Sequence, residues 1–365
     1  MKILHIIDSL RSGGKERQLI ELLKGLIKEE NIKIELVILS NSIDYEYIFD
    51  LKISIHIIKR KYKNDFSIFG KLYKICKDFK PDIIHSWELM CSVYSMPIAK
   101  LIGAKFINGI IRYSPSNFTF FNNKKFILFK ITFMFSDVIL SNSYSGLRSY
   151  KISSPKANCI YNGFDCIRAK NINKIKDLKN QYNITTKNIV GMVARFDKRK
   201  DYSSFLASAI KILEKRNDVT FLTIGDGDTL HNCLNLVPPK YKKYIRFLGK
   251  QKNVEPIIKM FDIGVLVSYE EGISNSIMEY MAFEKPVIAT KHGGNEEIVI
   301  NDKTGFIIKP KSINELIEKM EYLLDNKDIA RLMGRSGKER LEKEFSLEKM
   351  TDEHIKLYKS LYQTT

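Results

Sequence analysis

Short apolar, β-rich runs alternate with helix-length segments along the whole chain, and they do so in two separate series. In the first, KILHIIDSL precedes a helical pattern from about Glu16 to Glu29, and IKIELVILS, PDIIHSW, AKFINGIIR and SDVILSNS follow. Strand, helix, strand in repetition predicts a parallel sheet covered on both faces, because parallel neighbours need a crossover connection. A second series runs through NIVGMVARF, VTFLTIGDG, YIRFLGK, DIGVLVS and KPVIAT. The expected architecture is therefore α/β, with two doubly wound domains in tandem. A length of 365 residues agrees, since it exceeds what one core usually supports. Between the series, Tyr161 to Asn188 is polar, lysine-rich and weakly periodic, and its first part is the expected linker.

Several classes are excluded by what the chain lacks. The five cysteines (Cys76, Cys91, Cys159, Cys166, Cys233) are scattered, with no CxxC or Cys/His spacing for a zinc site, which fits a reducing compartment. MKILHIIDSL is interrupted by Asp8 and lacks the length and cleavage site of a signal peptide, so it reads as a buried first strand. No run reaches the ~18 apolar residues of a spanning helix. We therefore expect a cytoplasmic protein whose membrane contact is peripheral.

The formal charge is +18, and residues 1–180 hold 30 Lys and Arg against 16 Asp and Glu. Such a field attracts phosphorylated substrates, acidic lipid or nucleic acid. Liberal lysine usage would raise the total but does not explain the asymmetry. Residues 118–135, FTFFNNKKFILFKITFMF, combine seven phenylalanines with Lys124, Lys125 and Lys130. That mixture suits the interface of an anionic membrane, and equally a helix buried between a sheet and its neighbours.

In open parallel sheets, ligands sit beyond the carboxyl ends of the strands. The segment from Ser268 to Val299 leaves a strand, passes Glu271 and Gly272, opens a helix near Ser274 to Ser276 and ends it before Pro286. Unpaired N–H groups at such a start suit a diphosphate, and the carboxylates of Glu271 and Glu279 can each accept from two vicinal hydroxyls. Two local alternatives stay open: Ser276 and Glu279 fit an S-x-x-E capping box, and Glu271 beside Glu270 fits an exposed loop acid. In GMVARFDKRKD, Arg195 and Lys200 follow a buried strand and could neutralise a diphosphate leaving group. A solvated basic loop would look the same. The turn Ser12-Gly13-Gly14 permits close approach of a phosphate or sugar, whereas the GxGxxG spacing of a nicotinamide enzyme is absent.

Together these pieces resemble the retaining GT-B glycosyltransferases of family four, the group-one glycosyltransferases. The resemblance rests on DSLRSGGKERQ, SNS at Ser141 to Ser143, YNGFD, VARFDKRKD, FLGKQKNV and EGISNSIMEYMAFEKPVIATKHGGNEEIV, and so covers nearly the whole chain. It implies two Rossmann-like domains facing across a cleft: residues 1–165 on the acceptor side, 166–345 binding the nucleotide-sugar, and a last helix at 346–365 returning to the first. By position, Glu279 matches the ribose-binding glutamate and Glu271 the one facing the donor sugar. Arg195 and Lys200 match the pair on the pyrophosphate. Gly13 and Gly14 match the N-domain loop, Ile273, Ser274, Asn275 and Ser276 the backbone over phosphates and sugar, and Val254 the stretch meeting the nucleobase. Where many members carry an N-domain histidine, this chain has Asn108 and Arg112. Arg112 and His85 are candidate sugar or acceptor contacts, with a core-edge role as the alternative for His85.

The resemblance implies transfer with retention, through an oxocarbenium-like transition state in which the donor phosphate takes the acceptor proton. Positioning and charge stabilisation are then the protein's share. No DxD-type pair stands in the right context, and Asp226 and Asp228 of GDGD read as a loop after a strand. We expect no metal and no cofactor. The expected partners are a UDP-linked hexose or N-acetylhexosamine, a lipid-linked glycan of surface polysaccharide synthesis, and an anionic membrane surface, with no specific nucleic acid. A nucleotide-sugar epimerase of the same fold, and a nucleic-acid-binding protein, are the competing readings.

Overall fold

The computed structural model describes residues 1–62, 64–115, 125–170 and 175–363. It divides into two compact units, Met1–Gly163 with Leu347–Thr365, and Phe164–Ser346.

In the first unit the strands are β1 (Lys2–Ile7), β2 (Lys33–Ile38), β3 (Ser54–Ile57), β4 (Ile83–Ser86), β5 (Lys105–Ile111), β6 (Val138–Ser141) and β7 (Ala157–Cys159). They form one parallel sheet in the order β3-β2-β1-β4-β5-β6-β7. The helices between them are α1 (Gly14–Leu26), α2 (Ser67–Phe79), α3 (Leu89–Ile102), α4 (Phe126–Met134) and α5 (Tyr144–Ser149). Helix α1 forms because Leu19, Ile20, Leu22, Leu23 and Leu26 recur at helical spacing and are all fully buried. Between β5 and β6 the register slips from Asn108 to Ile111, which re-aims the chain just before Arg112.

The second unit repeats the plan. Its elements are α6 (Ile175–Gln181), β8 (Asn188–Val193), α7 (Tyr202–Leu213), β9 (Val219–Ile224), α8 (Leu230–Asn235), β10 (Ile245–Phe247), α9 (Glu255–Lys259), β11 (Ile263–Leu266), α10 (Asn275–Ala282), β12 (Val287–Thr290), α11 (Asn295–Ile298), β13 (Gly305–Ile308), α12 (Ile313–Asp325) and α13 (Lys327–Glu344). The sheet is parallel, in the order β10-β9-β8-β11-β12-β13. Its central strands are apolar on both faces, as burial beneath two helical layers requires.

The last helix, α14 (Leu347–Gln363), belongs to the first unit. Leu347, Met350, His354, Ile355 and Tyr358 form its buried face. A Cβ on Gly25 of α1 would collide with Thr351, so that glycine lets the two helices approach. All five cysteines are free thiols. Among the described residues, no helix is long and apolar enough to cross a membrane.

Candidate functional site

Strand order in the second unit reverses between β8 and β11, and the loops that leave their carboxyl ends carry Arg195, Lys200, Glu271, Ile273 and Ser274. These loops are stitched together by backbone. Lys200 pairs with Ser268 as an antiparallel bridge, Asp201 N–H donates to Val267 O at 3.0 Å, and Tyr269 N–H donates to Arg199 O at 2.7 Å. That stitching brings the Lys200 ammonium onto the Glu271 carboxylate as an ion pair, with about one-seventh of each side chain exposed (13% and 15%). Arg195 leaves the same strand two residues after its end, is exposed, and forms no ion pair among the described residues.

Helix α10 is anchored at its start. Ser274 is the N-cap, its Oγ accepting from the Ile277 N–H at 3.5 Å. Ser276 donates instead to Val193 O at 2.7 Å, tying the helix to the end of β8. The capping box left open as the alternative for Ser276 and Glu279 is therefore not formed: Ile277 holds the third helical position, and Glu279 lies beyond the first turn. Tyr280 adds a second anchor, accepting from Val193 N–H at 2.7 Å and donating to Val265 O at 3.3 Å. Burial pushes its phenol well above the usual range, so it stays protonated. The ring fits because Gly264 has no Cβ to meet it.

A third loop closes on the first two. Thr290 Oγ1 accepts from Ser268 N–H at 2.9 Å and donates to Ser268 O at 2.8 Å. Gly293 has φ +60, and a Cβ there would strike the Glu271 carbonyl; one on Gly294 would strike that of Gly272. The HGG turn is thus the support on which the Glu271 loop rests. The GDGD segment is the loop after β9, where Phe196 N–H, next in sequence to Arg195, donates to Asp226 O at 3.0 Å.

Glu279 is 2% exposed. Arg168, which the sequence did not flag, lies 3.8 Å from Glu279 Oε1 and also pairs with Glu255, next to Val254. The only sequence signal for Arg168 was its place three residues after YNGFD. Through this arginine the predicted nucleobase stretch and ribose glutamate share one neighbourhood.

In the first unit, Gly13 is the N-cap of α1 and Gly14 its first residue. The Glu16 carboxylate folds over Gly13, filling the space a Cβ would take, and Lys15 pairs with Glu16 at 3.2 Å and with Glu88. His85 is fully buried: Nδ1 is 2.8 Å from Tyr358 Oη, and the ring stacks on Trp87 with centroids 5.1 Å apart. A core position, rather than an open contact surface, is what the structure gives it. Arg112 donates from Nε to Gly109 O at 2.8 Å, and its guanidinium lies 4.1 Å over Trp87. Burial depresses Arg112 to about 10, which leaves it charged at neutral pH. Among the described residues no three His, Cys, Asp or Glu side chains gather as a metal-ligand set.

Residues 174–340 match the model of the family described as glycosyl transferases group 1. One relative, the N-acetyl-alpha-D-glucosaminyl L-malate synthase of Bacillus anthracis, is 27% identical over 228 residues, which are 61% of this chain and 59% of that protein. The chain thus spans less than two thirds of that relative's length. A galactosyltransferase of Escherichia coli, named for transfer from UDP-Gal to alpha-D-GlcNAc-diphosphoundecaprenol, is 24% identical over 98% of this chain and 96% of its own. Among solved structures, Anabaena HepE in complex with UDP and glucose superposes with a TM-score of 0.85 at 17% identity, covering 99% of this chain and all of its own.

Proposed function

We propose that this chain, which belongs to the group 1 glycosyltransferases and has the GT-B fold, moves a hexosyl or N-acetylhexosaminyl group from a UDP-sugar to a glycan acceptor, with retention and without a metal. The observation that carries the proposal is the Lys200–Glu271 pair beside exposed Arg195, at the strand-order reversal where the N-cap of α10 also lies.

In this reading the diphosphate sits at Arg195, Lys200 and the first N–H groups of α10, where two cations and a helix start stabilise the charge that builds as the sugar leaves. Glu271 accepts from the sugar hydroxyls, Glu279 from the ribose hydroxyls, and Val254 borders the base. Cationic side chains then serve where a metal would serve elsewhere. The acceptor oxygen attacks on the face the diphosphate leaves, its proton passing to a phosphate oxygen, which preserves configuration.

For the acceptor, the E. coli relative's name supplies a lipid-linked sugar, and we carry that class over, with surface polysaccharide synthesis as the setting. Contact with the inner face of the plasma membrane belongs to the same proposal. Helix α4 exposes Ile127, Ile131 and Met134, with Phe135 just beyond it. The earlier part of the predicted membrane segment, residues 116–124 with Lys124, lies outside the described residues.

A panel of UDP-, GDP- and ADP-sugars tests the donor by thermal shift and by release of nucleoside diphosphate. A UDP-sugar should raise Tm and be hydrolysed slowly without acceptor. Failure of every nucleotide-sugar to stabilise the protein would overturn the proposal.

A further inference from the structure

Beyond the last residues of β1, β2 and β3, three neighbouring strand ends of the first unit enclose an open cavity of about 350 Å³. Its wall includes Asp8, Arg11, Ser40, Lys59, Arg60 and Tyr62. Each strand contributes the residues that immediately follow it: Asp8 after Ile7, Ser40 two residues after Ile38, and Lys59 and Arg60 after Ile57. None of them belongs to the donor site of the second unit.

The charges do not cancel. Among the described residues Asp8 is the only acid in the wall, and it is taken by Arg60 in an ion pair. Arg11 reaches the Ser42 hydroxyl at 3.2 Å but no carboxylate, and Lys59 forms no ion pair, among the described residues. Two uncompensated cations from different strand ends therefore face one concavity. Tyr62, 74% exposed, offers a ring face on its rim, and Ser40 a hydroxyl. The volume is that of a small-molecule site.

We infer that this cavity is a second anion site, which binds the phosphate or diphosphate group of a sugar acceptor. Phosphate is favoured over carboxylate because two free cations match a dianion, and because an arginine fork and a lysine point charge are the usual phosphate partners. A sugar bearing that group would place its ring on Tyr62 and its hydroxyls on the serine. The assignment of the anion to an acceptor rests on the glycosyltransferase reading, whereas the anion site itself does not.

The test uses the full chain. UDP is titrated first by calorimetry, and its failure to bind would count against the donor reading alone. With UDP saturating, inorganic pyrophosphate, inorganic phosphate and acetate are then titrated into the wild type and the Arg11→Gln/Lys59→Gln variant. Pyrophosphate should bind, acetate should not, and the double variant should weaken pyrophosphate about tenfold or more. A Tyr62→Trp variant localises the event, since the one native tryptophan, Trp87, is buried, and pyrophosphate should shift the new emission. Equal pyrophosphate affinity in wild type and double variant, or preference for acetate, would overturn the inference. Vesicles containing phosphatidylglycerol separate the sources of phosphate: both proteins should bind them equally, and loss in the double variant would reassign the cavity to a lipid headgroup.

Discussion

Lys200 and Glu271 are 71 residues apart in sequence and form an ion pair in the structure, because the backbones around Lys200 and Ser268 are bridged. In the proposed reading each holds the other where a donor would meet both, the lysine on phosphate and the glutamate on sugar. Lys200→Ala should lower kcat/KM by about a hundredfold or more, as loss of one preorganised charge-stabilising group does. Glu279→Ala should do the same through donor binding. Both variants should keep the wild-type circular dichroism spectrum. Near-normal turnover of either at saturating donor would show that the site has been placed wrongly.

The two serines at the start of α10 should behave differently. Ser274→Ala removes the N-cap acceptor and should cost about 0.5–2 kcal/mol in urea unfolding. Ser276→Ala removes a hydrogen bond to Val193 O, so its cost of about 1 kcal/mol should come with a higher donor KM as the helix start loosens from β8. Were Ser276 the cap, only its substitution would produce the capping loss.

Activity should survive excess EDTA, since Arg195 and Lys200 are proposed to hold the diphosphate. The assay is sugar transfer, or slow donor hydrolysis, after dialysis against chelator. A strict need for added Mg²⁺ or Mn²⁺ would mean that a metal, and not these two cations, stabilises the leaving group.

Much of this was legible because periodicity is a physical consequence of layering: a strand buried on both faces must be apolar throughout, and each parallel return needs a helix. Glu271, Arg195 and Lys200 were legible as strand-end residues, and Glu279 by its place in the helix that follows. The capping-box alternative fails because S-x-x-E describes spacing only; Ser276 turned to Val193, and the cap fell to Ser274 two residues earlier. Arg168 was invisible for a related reason, since its partners Glu255 and Glu279 are 87 and 111 residues away and meet it only in the folded unit. His85 could not be placed because covering its face of β4 falls to α14, some 270 residues later.

Acid should destabilise the first unit through its buried histidines. Burial, then the neighbouring His354 and Arg112 charges, lower His5 to about 3. Burial likewise lowers His354 to about 4, and His85 falls well below its usual value. Trp87, Tyr358 and Arg112 also pack around them and carry no negative charge, and the Met350 carbonyl, 2.8 Å from His354 Nδ1, only partly offsets its burial. A base with a depressed folded value contributes stability that is complete above its unfolded value of 6.5 and is lost as pH falls below it. Each such histidine should remove up to about 1.4 kcal/mol per pH unit below that point. Urea midpoints at pH 7.5, 5.5 and 4.5 should fall in that order, and a flat profile would contradict the burial of these rings.

Membrane recruitment is best tested on α4, where apolar exposure and positive charge occur together. Ile127 is 65% exposed, Met134 58% and Phe135 46%, and they share a helical face with Ile131 at spacings of three and four. Lys125 and Lys130 belong to the same segment. Partial insertion of such a face, with lysines at headgroup level, would combine burial of apolar area with attraction to anionic lipid. The protein should therefore sediment with phosphatidylglycerol vesicles and much less with neutral ones, and the difference should fade as salt shortens the screening length toward ~8 Å. Lys124→Gln, Lys125→Gln and Lys130→Gln together should weaken binding by on the order of 1 kcal/mol per charge that faces the surface. Donor-induced Tm shifts should be unchanged, because the residues proposed to hold the donor lie in the other unit. An Ile127→Ser/Met134→Ser variant should also lose vesicle binding, at high and low salt alike, since it removes the inserted area and leaves the charge. If neither variant differs from wild type, α4 is an ordinary surface helix, and the lipid-linked acceptor loses its support in this unit.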